Sequence, residues 1–162
     1  MADQVDRILE QWKSEKPDLD VSPMAVIGRL SRAALAVDAR LANTFALHGL
    51  DASSFDVLAT LLRSGAPYRI SPVELSRDAM ISTSAVAQRL NKLQARGLVS
   101  RQANPQDGRG TLVALTAAGR ELIETALPPH LETERAITAG LTAEEKTLLA
   151  ELLQRITEAA RP

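Results

Sequence analysis

Residues 82–96 combine a helical repeat of apolar side chains with polar groups that could contact a nucleic acid. At 100° per residue, Val86, Leu90 and Leu93 fall on one side of a helix, which predicts a buried stripe. The opposite side carries short hydroxyl and amide groups: Ser84, Gln88 and Asn91. Hydroxyls and carboxamides of this size can hydrogen-bond to base edges in a DNA groove. The pattern therefore predicts a helix with one core face and one polar face that could read bases.

Cationic side chains flank this polar face. Lys92 and Arg96 follow it along the helix and suit contacts to phosphates, and Thr83 lies at the start of the helix, beside the same face. The alternative is an ordinary surface helix with a solvated polar side.

The segment 98–116 predicts a β-hairpin with a basic loop. Two runs of strand-like composition, 98–103 and 111–116, are separated by seven residues rich in turn formers. Arg109 has glycine on both sides, so its guanidinium could approach a DNA minor groove closely. Asp107 would steady the loop or Arg109 itself.

Charge is distributed unevenly along the chain. The formal net charge is −1. Residues 69–110 carry seven basic and three acidic side chains, so this stretch is positive and the remainder is negative. A basic central segment between acidic segments is compatible with phosphate binding, and equally with a solvated surface.

Further helices must hold these groups. Apolar periodicity predicts helices over 3–13, from Pro23 towards Gly49 and over 53–63. Capping boxes at Ser71 and Thr142 open two more. Thr116 caps another helix, which Pro128 and Pro129 are expected to kink or interrupt.

The order of these elements is that of a winged helix-turn-helix. The expected fold class is mainly α with a small β-hairpin, an α+β arrangement in which a winged helix-turn-helix carries a helical dimerisation domain. We expect three parts. Residues 1–50 form an N-terminal extra helix and a long dimerisation helix, and residues 51–116 form the DNA-binding domain. Residues 117–162 form the C-terminal dimerisation helices.

The sequence resembles the MarR family of bacterial transcriptional regulators over essentially its whole length. The motif Asp107-Gly108-Arg109, followed by residues 112–119, is similar to the signature of that family's wing. The resemblance implies a homodimer that binds palindromic double-stranded DNA, one recognition helix to each half-site. A repressor is the expected role.

A narrower resemblance is to the urate-responsive branch of the same family. That branch has an extra N-terminal helix and a ligand site of one Trp, one Asp and two Arg, and the matching residues here are Trp12, Asp56, Arg89 and Arg101. The resemblance implies a small planar anionic effector, such as urate or an aromatic or indole carboxylate, whose binding releases DNA. Trp12 could equally fill the core.

Arg89 also has a structural interpretation. It lies about 60° from the apolar stripe of its helix, so it should point inward or sideways and pair with an acid, for which we expect Asp56. In one alternative an anion competes for Arg89 while Asp56 repels that anion. In the other, Arg89 and Asp56 form a fixed structural salt bridge, and the protein is a constitutive DNA-binding dimer without a small-molecule response.

Composition argues against an enzyme. Cysteine is absent, and His48 and His130 stand alone, so neither a metal site nor catalytic residues are expected. Glycine-rich phosphate loops are also missing, and no cofactor is expected. No apolar run is long enough to span a membrane and no secretory signal is evident, so the expected location is the cytoplasm.

Overall fold

The computed structural model describes residues 2–79, 83–104 and 110–161. The chain divides into two compact units, residues 1–40 and 41–162, and the division falls inside one long helix. The three parts predicted from the sequence stay a prediction.

The first unit begins with α1, Gln4–Glu15. Asp3 caps this helix: its carboxylate accepts from the amide of Asp6, and the Asp6 side chain accepts in return from the amide of Asp3. Val5 is buried, and a Cβ added at Gly28 would lie 3.3 Å from a Val5 methyl group. The small residue at 28 therefore lets α1 pack closely.

The long helix α2, Pro23–Ala46, follows a loop and confirms the helix predicted from Pro23 towards Gly49. Arg29 joins it to α1. Its Nε lies 2.9 Å from Oδ2 of Asp3, and its Nη2 also contacts Asp6. The guanidinium thus binds both acids of the α1 capping box.

The second unit contains five helices and a small sheet among its described residues. They are α3 (Ala52–Arg63), β1 (Arg69–Ile70), α4 (Pro72–Asp78), α5 (Thr83–Ala95), β2 (Val99–Ala103), β3 (Thr111–Leu115), α6 (Ala117–Ile137) and α7 (Ala143–Ala159). The capping boxes at Ser71 and Thr142 are both present, and Gly97 has a φ of 70° just beyond α5. The expected mainly helical fold class is confirmed.

The sheet has three antiparallel strands in the order β1-β3-β2. The pairing of β2 with β3 confirms the predicted hairpin, with Val99 opposite Leu115. The strand β1 is an addition that the sequence did not predict, and it places Arg69 opposite Ala114. A two-residue strand is too short to show an alternating pattern, so only its long-range pairing identifies it.

Helix α6 continues through both of its prolines, so of the two expected outcomes the interruption is wrong and the kink stays a prediction. Prolines remove amide donors from a helix, but packing on both sides of them offsets the loss. Ile123 and Ala126 are buried before the prolines. After them, the ring of His130 lies 4.5 Å from that of Phe55 on α3. Both halves of α6 are thereby held to the core.

Candidate nucleic-acid interface

The buried side of α5 is the one that the sequence predicts. Val86 and Leu90 are each 2% exposed and Leu93 is fully buried. This stripe faces α3 and α4, against which α5 packs. The core therefore fixes the rotation of α5 about its axis.

Fixing that rotation leaves the polar face outward. Ser84, Gln88 and Asn91 are all exposed, as the helical repeat predicts. Thr83 begins α5, and its side chain lies outside the described part of the chain. The described polar side chains can approach the edges of base pairs without rearrangement of the core.

Two cations of α5 converge on one acid of α3. Nη1 of Arg89 and Nζ of Lys92 each lie 2.9 Å from Oδ2 of Asp51. The expectation that Arg89 pairs with Asp56 is therefore wrong. Asp51 is also the N-cap of α3, so its carboxylate is fixed where the side of α5 passes.

The charge on Asp51 is held firmly. Partial burial by itself would raise the pKa of this carboxyl, but hydrogen bonds from Lys92 and from Ser54, with the charge of Arg89, lower the pKa to about 2. The carboxylate is ionised at neutral pH and faces two cations.

Arg96 binds the turn just before α3. Its Nη1 donates to the carbonyl oxygen of Gly49 at 2.9 Å, and Gly49 has a φ of 62°. A residue in the left-handed backbone conformation turns the chain sharply here, and glycine adopts this conformation without a steric clash. Lys92 and Arg96 thus both contact the region around the start of α3 from the end of α5.

Arg101 extends from β2 to the exposed side of α5. Its Nη2 donates to Oδ1 of Asn91 at 2.8 Å, and its Nη1 donates to Oε1 of Gln94. The sheet and the polar face of α5 are therefore joined directly. Gln94 had not been singled out in the sequence, because a lone exposed amide carries no local signal.

Asp56 has a different setting. It is 8% exposed on α3, and its Oδ1 lies 3.9 Å from Nη1 of Arg63. Arg63 in turn donates to the main-chain carbonyl of Asp78 at the end of α4. Asp56 thus belongs to a link between α3 and α4.

Three of the four expected ligand residues therefore have separate described partners. Arg89 binds Asp51, Arg101 binds Asn91, and Asp56 faces Arg63. Trp12 is 40% exposed in the first unit. Their common role as a ligand site stays a prediction.

The tip of the hairpin lies outside the described residues, and with it Asp107 and Arg109. At the base of this loop, the amide of Asn104 donates to the carbonyl oxygen of Gly110 at 2.8 Å. The strands thus approach one another up to the residues that flank the predicted wing.

Comparison with known proteins decides the family. A model of the MarR family matches residues 48–110. The chain is 43% identical over 153 residues to the HTH-type transcriptional regulator PecS of Dickeya dadantii, a match that covers 94% of this chain and 92% of that protein. This chain belongs to the MarR family.

Solved structures of MarR-family regulators share its fold. Sco3205 of Streptomyces coelicolor, a MarR family regulator solved in complex with DNA, has a TM-score of 0.80 at 25% identity and covers 89% of this chain and 94% of its own. BpsR of Bordetella bronchiseptica, a protein whose DNA binding is regulated by 6-hydroxynicotinic acid, has a TM-score of 0.72 at 28% identity, with 82% and 98% coverage.

Other classes of site find no support in the described residues. No group of three or more potential metal ligands occurs there. None of the helices described is both long and apolar enough to cross a membrane. The relatives named above are transcriptional regulators and not enzymes.

Proposed function

We propose that this MarR-family protein is a transcriptional repressor that binds a palindromic operator as a homodimer, with α5 in the major groove of each half-site. The observation that carries the proposal is the outward polar face of α5, opposite a stripe that is 0–2% exposed. Such a helix offers hydrogen-bonding groups to DNA while its other side stays in the core.

The side chains of this interface have different tasks. The amides of Gln88 and Asn91 and the hydroxyl of Ser84 reach base edges, where bidentate amides favour adenine. The cations Lys92 and Arg96 and the hydroxyl of Thr83, the first residue of α5, contact phosphates and set the register of the helix on the DNA. In the wing, Arg109 enters the minor groove and Asp107 orients it.

A second copy of the chain covers the apolar face of α7. Four leucines on this helix are between 37% and 55% exposed: Leu148, Leu149, Leu152 and Leu153. An apolar cluster of this kind marks a protein contact, and a two-fold dimer presents two copies of α5 to a symmetric site.

The test of this part is a hydroxyl-radical footprint on DNA taken from upstream of the protein's own coding sequence. We expect two protected half-sites related by inverted sequence, with centres about 34–36 Å apart. Protection of a single half-site, or none above that on scrambled DNA, contradicts the proposal.

The same proposal includes release of DNA by a small planar anion. The support is that two arginines with defined partners lie on or beside α5: Arg89 on Asp51 and Arg101 on Asn91. Regulation of DNA binding of BpsR by 6-hydroxynicotinic acid is a precedent for an aromatic carboxylate acting on a protein of this fold. Urate and indole carboxylates have the same planar, anionic character.

Competition for guanidinium groups gives a mechanism. A carboxylate can bind Arg101 through two parallel, charge-assisted hydrogen bonds, which are stronger than the neutral amide contacts that it replaces. Arg101 then leaves Asn91, and the polar face of α5 changes. The anion lowers DNA affinity only to the extent that it binds the state with Arg101 released more tightly than the state with Arg101 on Asn91.

Displacement of labelled operator, followed by fluorescence anisotropy at constant ionic strength, tests the effector. Urate, 6-hydroxynicotinate and indole-3-acetate are compared with benzamide, a planar molecule without charge. We expect release by one or more anions at micromolar to millimolar concentration and none by benzamide.

A constitutive DNA-binding dimer is the second candidate. The observation in its favour is that Arg89 already has a carboxylate partner at 2.9 Å, as in a structural ion pair, although the acid is Asp51. Tight operator binding that no anion weakens would favour this candidate.

A further inference from the structure

Asp51 has contacts on both carboxylate oxygens. Oδ1 accepts from the amide of Ser54 at 2.8 Å and so caps α3. Oδ2 accepts from Nη1 of Arg89 and from Nζ of Lys92, each at 2.9 Å. One acid therefore serves the first turn of α3 and two cations of α5 together.

The arrangement changes the charge that α5 offers to its surroundings. Among the described ion pairs, Asp51 is the only acid joined to α5. Its carboxylate is held by the α3 cap, so it stays close while the two cations remain against α3. Arg96, by contrast, binds only a neutral carbonyl group at Gly49 among its described contacts.

Arbitrary DNA attracts a protein through phosphate charge, whereas an operator adds contacts to bases. Lys92 reaches a phosphate only by leaving Asp51, and the base contacts of an operator supply free energy for that step, whereas arbitrary DNA supplies none. The ratio of the affinity for the operator to the affinity for arbitrary DNA increases as a result.

We infer that Asp51 is a specificity-determining residue, which withholds Arg89 and Lys92 from the phosphates of arbitrary DNA. This inference rests on the proposed function, because it takes α5 as the DNA-binding helix. The side chains of Asp51 and Lys92 are 38% and 51% exposed, so both lie within reach of a phosphate backbone.

The decisive variant is Asp51→Asn, since asparagine is as good an N-cap as aspartate, while its neutral amide no longer holds the two cations. Binding to operator and to a scrambled duplex is measured by anisotropy over a series of salt concentrations. Each cation freed for a phosphate steepens the slope of log K against log salt by about 0.9. We expect scrambled-DNA affinity to rise about tenfold near 0.1 M salt and the slope to steepen by about one to two units, so that the specificity ratio falls.

Asp18→Asn is the matched control. It removes the same charge from an exposed residue between α1 and α2 and should leave slope and specificity unchanged. Lys92→Gln completes a double-mutant cycle: it should reduce the slope more in the Asp51→Asn background than in the wild type.

Three results overturn the inference. One is an Asp51→Asn protein with wild-type melting temperature, slope and affinity for scrambled DNA. Another is an Asp51→Asn protein that has a lower melting temperature, no longer binds the operator and keeps the wild-type salt slope on scrambled DNA. Asp51 would then only stabilise the position of α5. A wild type that binds no DNA overturns this inference and the proposed function together, whereas the first two results leave the proposed function standing.

Discussion

Arg101 on β2 donates a hydrogen bond of 2.8 Å to Oδ1 of Asn91 on the exposed side of α5. The carbonyl oxygen of this carboxamide has a second lone pair, so Asn91 keeps an acceptor as well as its Nδ2 donors for the edge of a base. The same guanidinium also binds Gln94. The hairpin thus orients an amide of the helix that we propose reads the operator.

Arg101→Lys should weaken operator binding. Lysine keeps the charge but lacks the rigid fork that holds two amides, so Asn91 becomes less ordered. We expect about a tenfold loss of operator affinity, a salt slope close to that of the wild type and a weaker response to planar anions. Anisotropy titrations measure all three. Arg120→Lys on α6 is the control. Equal operator affinity in the Arg101 variant would show that this contact does not set the reading face.

Gly119→Ala should destabilise the second unit. A Cβ at Gly119 would lie 1.9 Å from the carbonyl oxygen of Leu98, and a backbone atom cannot move away cheaply. We expect a loss of about 3 kcal/mol or more in the free energy of unfolding, measured in urea. Gly140→Ala is the matched control, because nothing lies within 4 Å of its added Cβ. Similar midpoints for the two variants would contradict the clash.

Local features of this fold were predictable from sequence. The caps at Ser71, Thr116 and Thr142 and the buried stripe of α5 depend on residues within one or two turns of each other. Side-chain periodicity likewise predicted which residues of α5 face solvent. Such patterns report the local backbone and the side that meets the core.

Partners distant in sequence could not be predicted in the same way. Asp51 was not singled out in the sequence, because its ion pair with Arg89 joins residues 38 apart. Strand β1 needs β3 to exist, and α6 survives its prolines through contacts with α3. Each depends on tertiary packing, for which one sequence carries no local signal.

The contribution of Asp51 to stability should depend on pH. Its pKa in the folded protein is lowered to about 2 from an ordinary 3.8, so the stabilisation is fully present above about pH 5 and is lost as the pH falls towards 2. We expect the difference in unfolding free energy between wild type and Asp51→Asn to shrink over that interval, as measured by urea titrations at several pH values. A difference that stays constant down to pH 2 would mean that the ion pairs contribute nothing to stability.

The exposed face of α5 is the centre of this account, and one measurement tests it most directly. The double variant Gln88→Ala with Asn91→Ala is titrated against the operator and against scrambled DNA at fixed salt, beside Gln11→Ala, which removes an exposed amide from α1. Each good amide contact to a base contributes about 1–3 kcal/mol of discrimination. The account predicts that the double variant loses at least tenfold in operator affinity and binds scrambled DNA as the wild type does. The Gln11→Ala control should bind both DNAs with wild-type affinity. Operator affinity equal to that of the wild type in the double variant would contradict a reading role for α5.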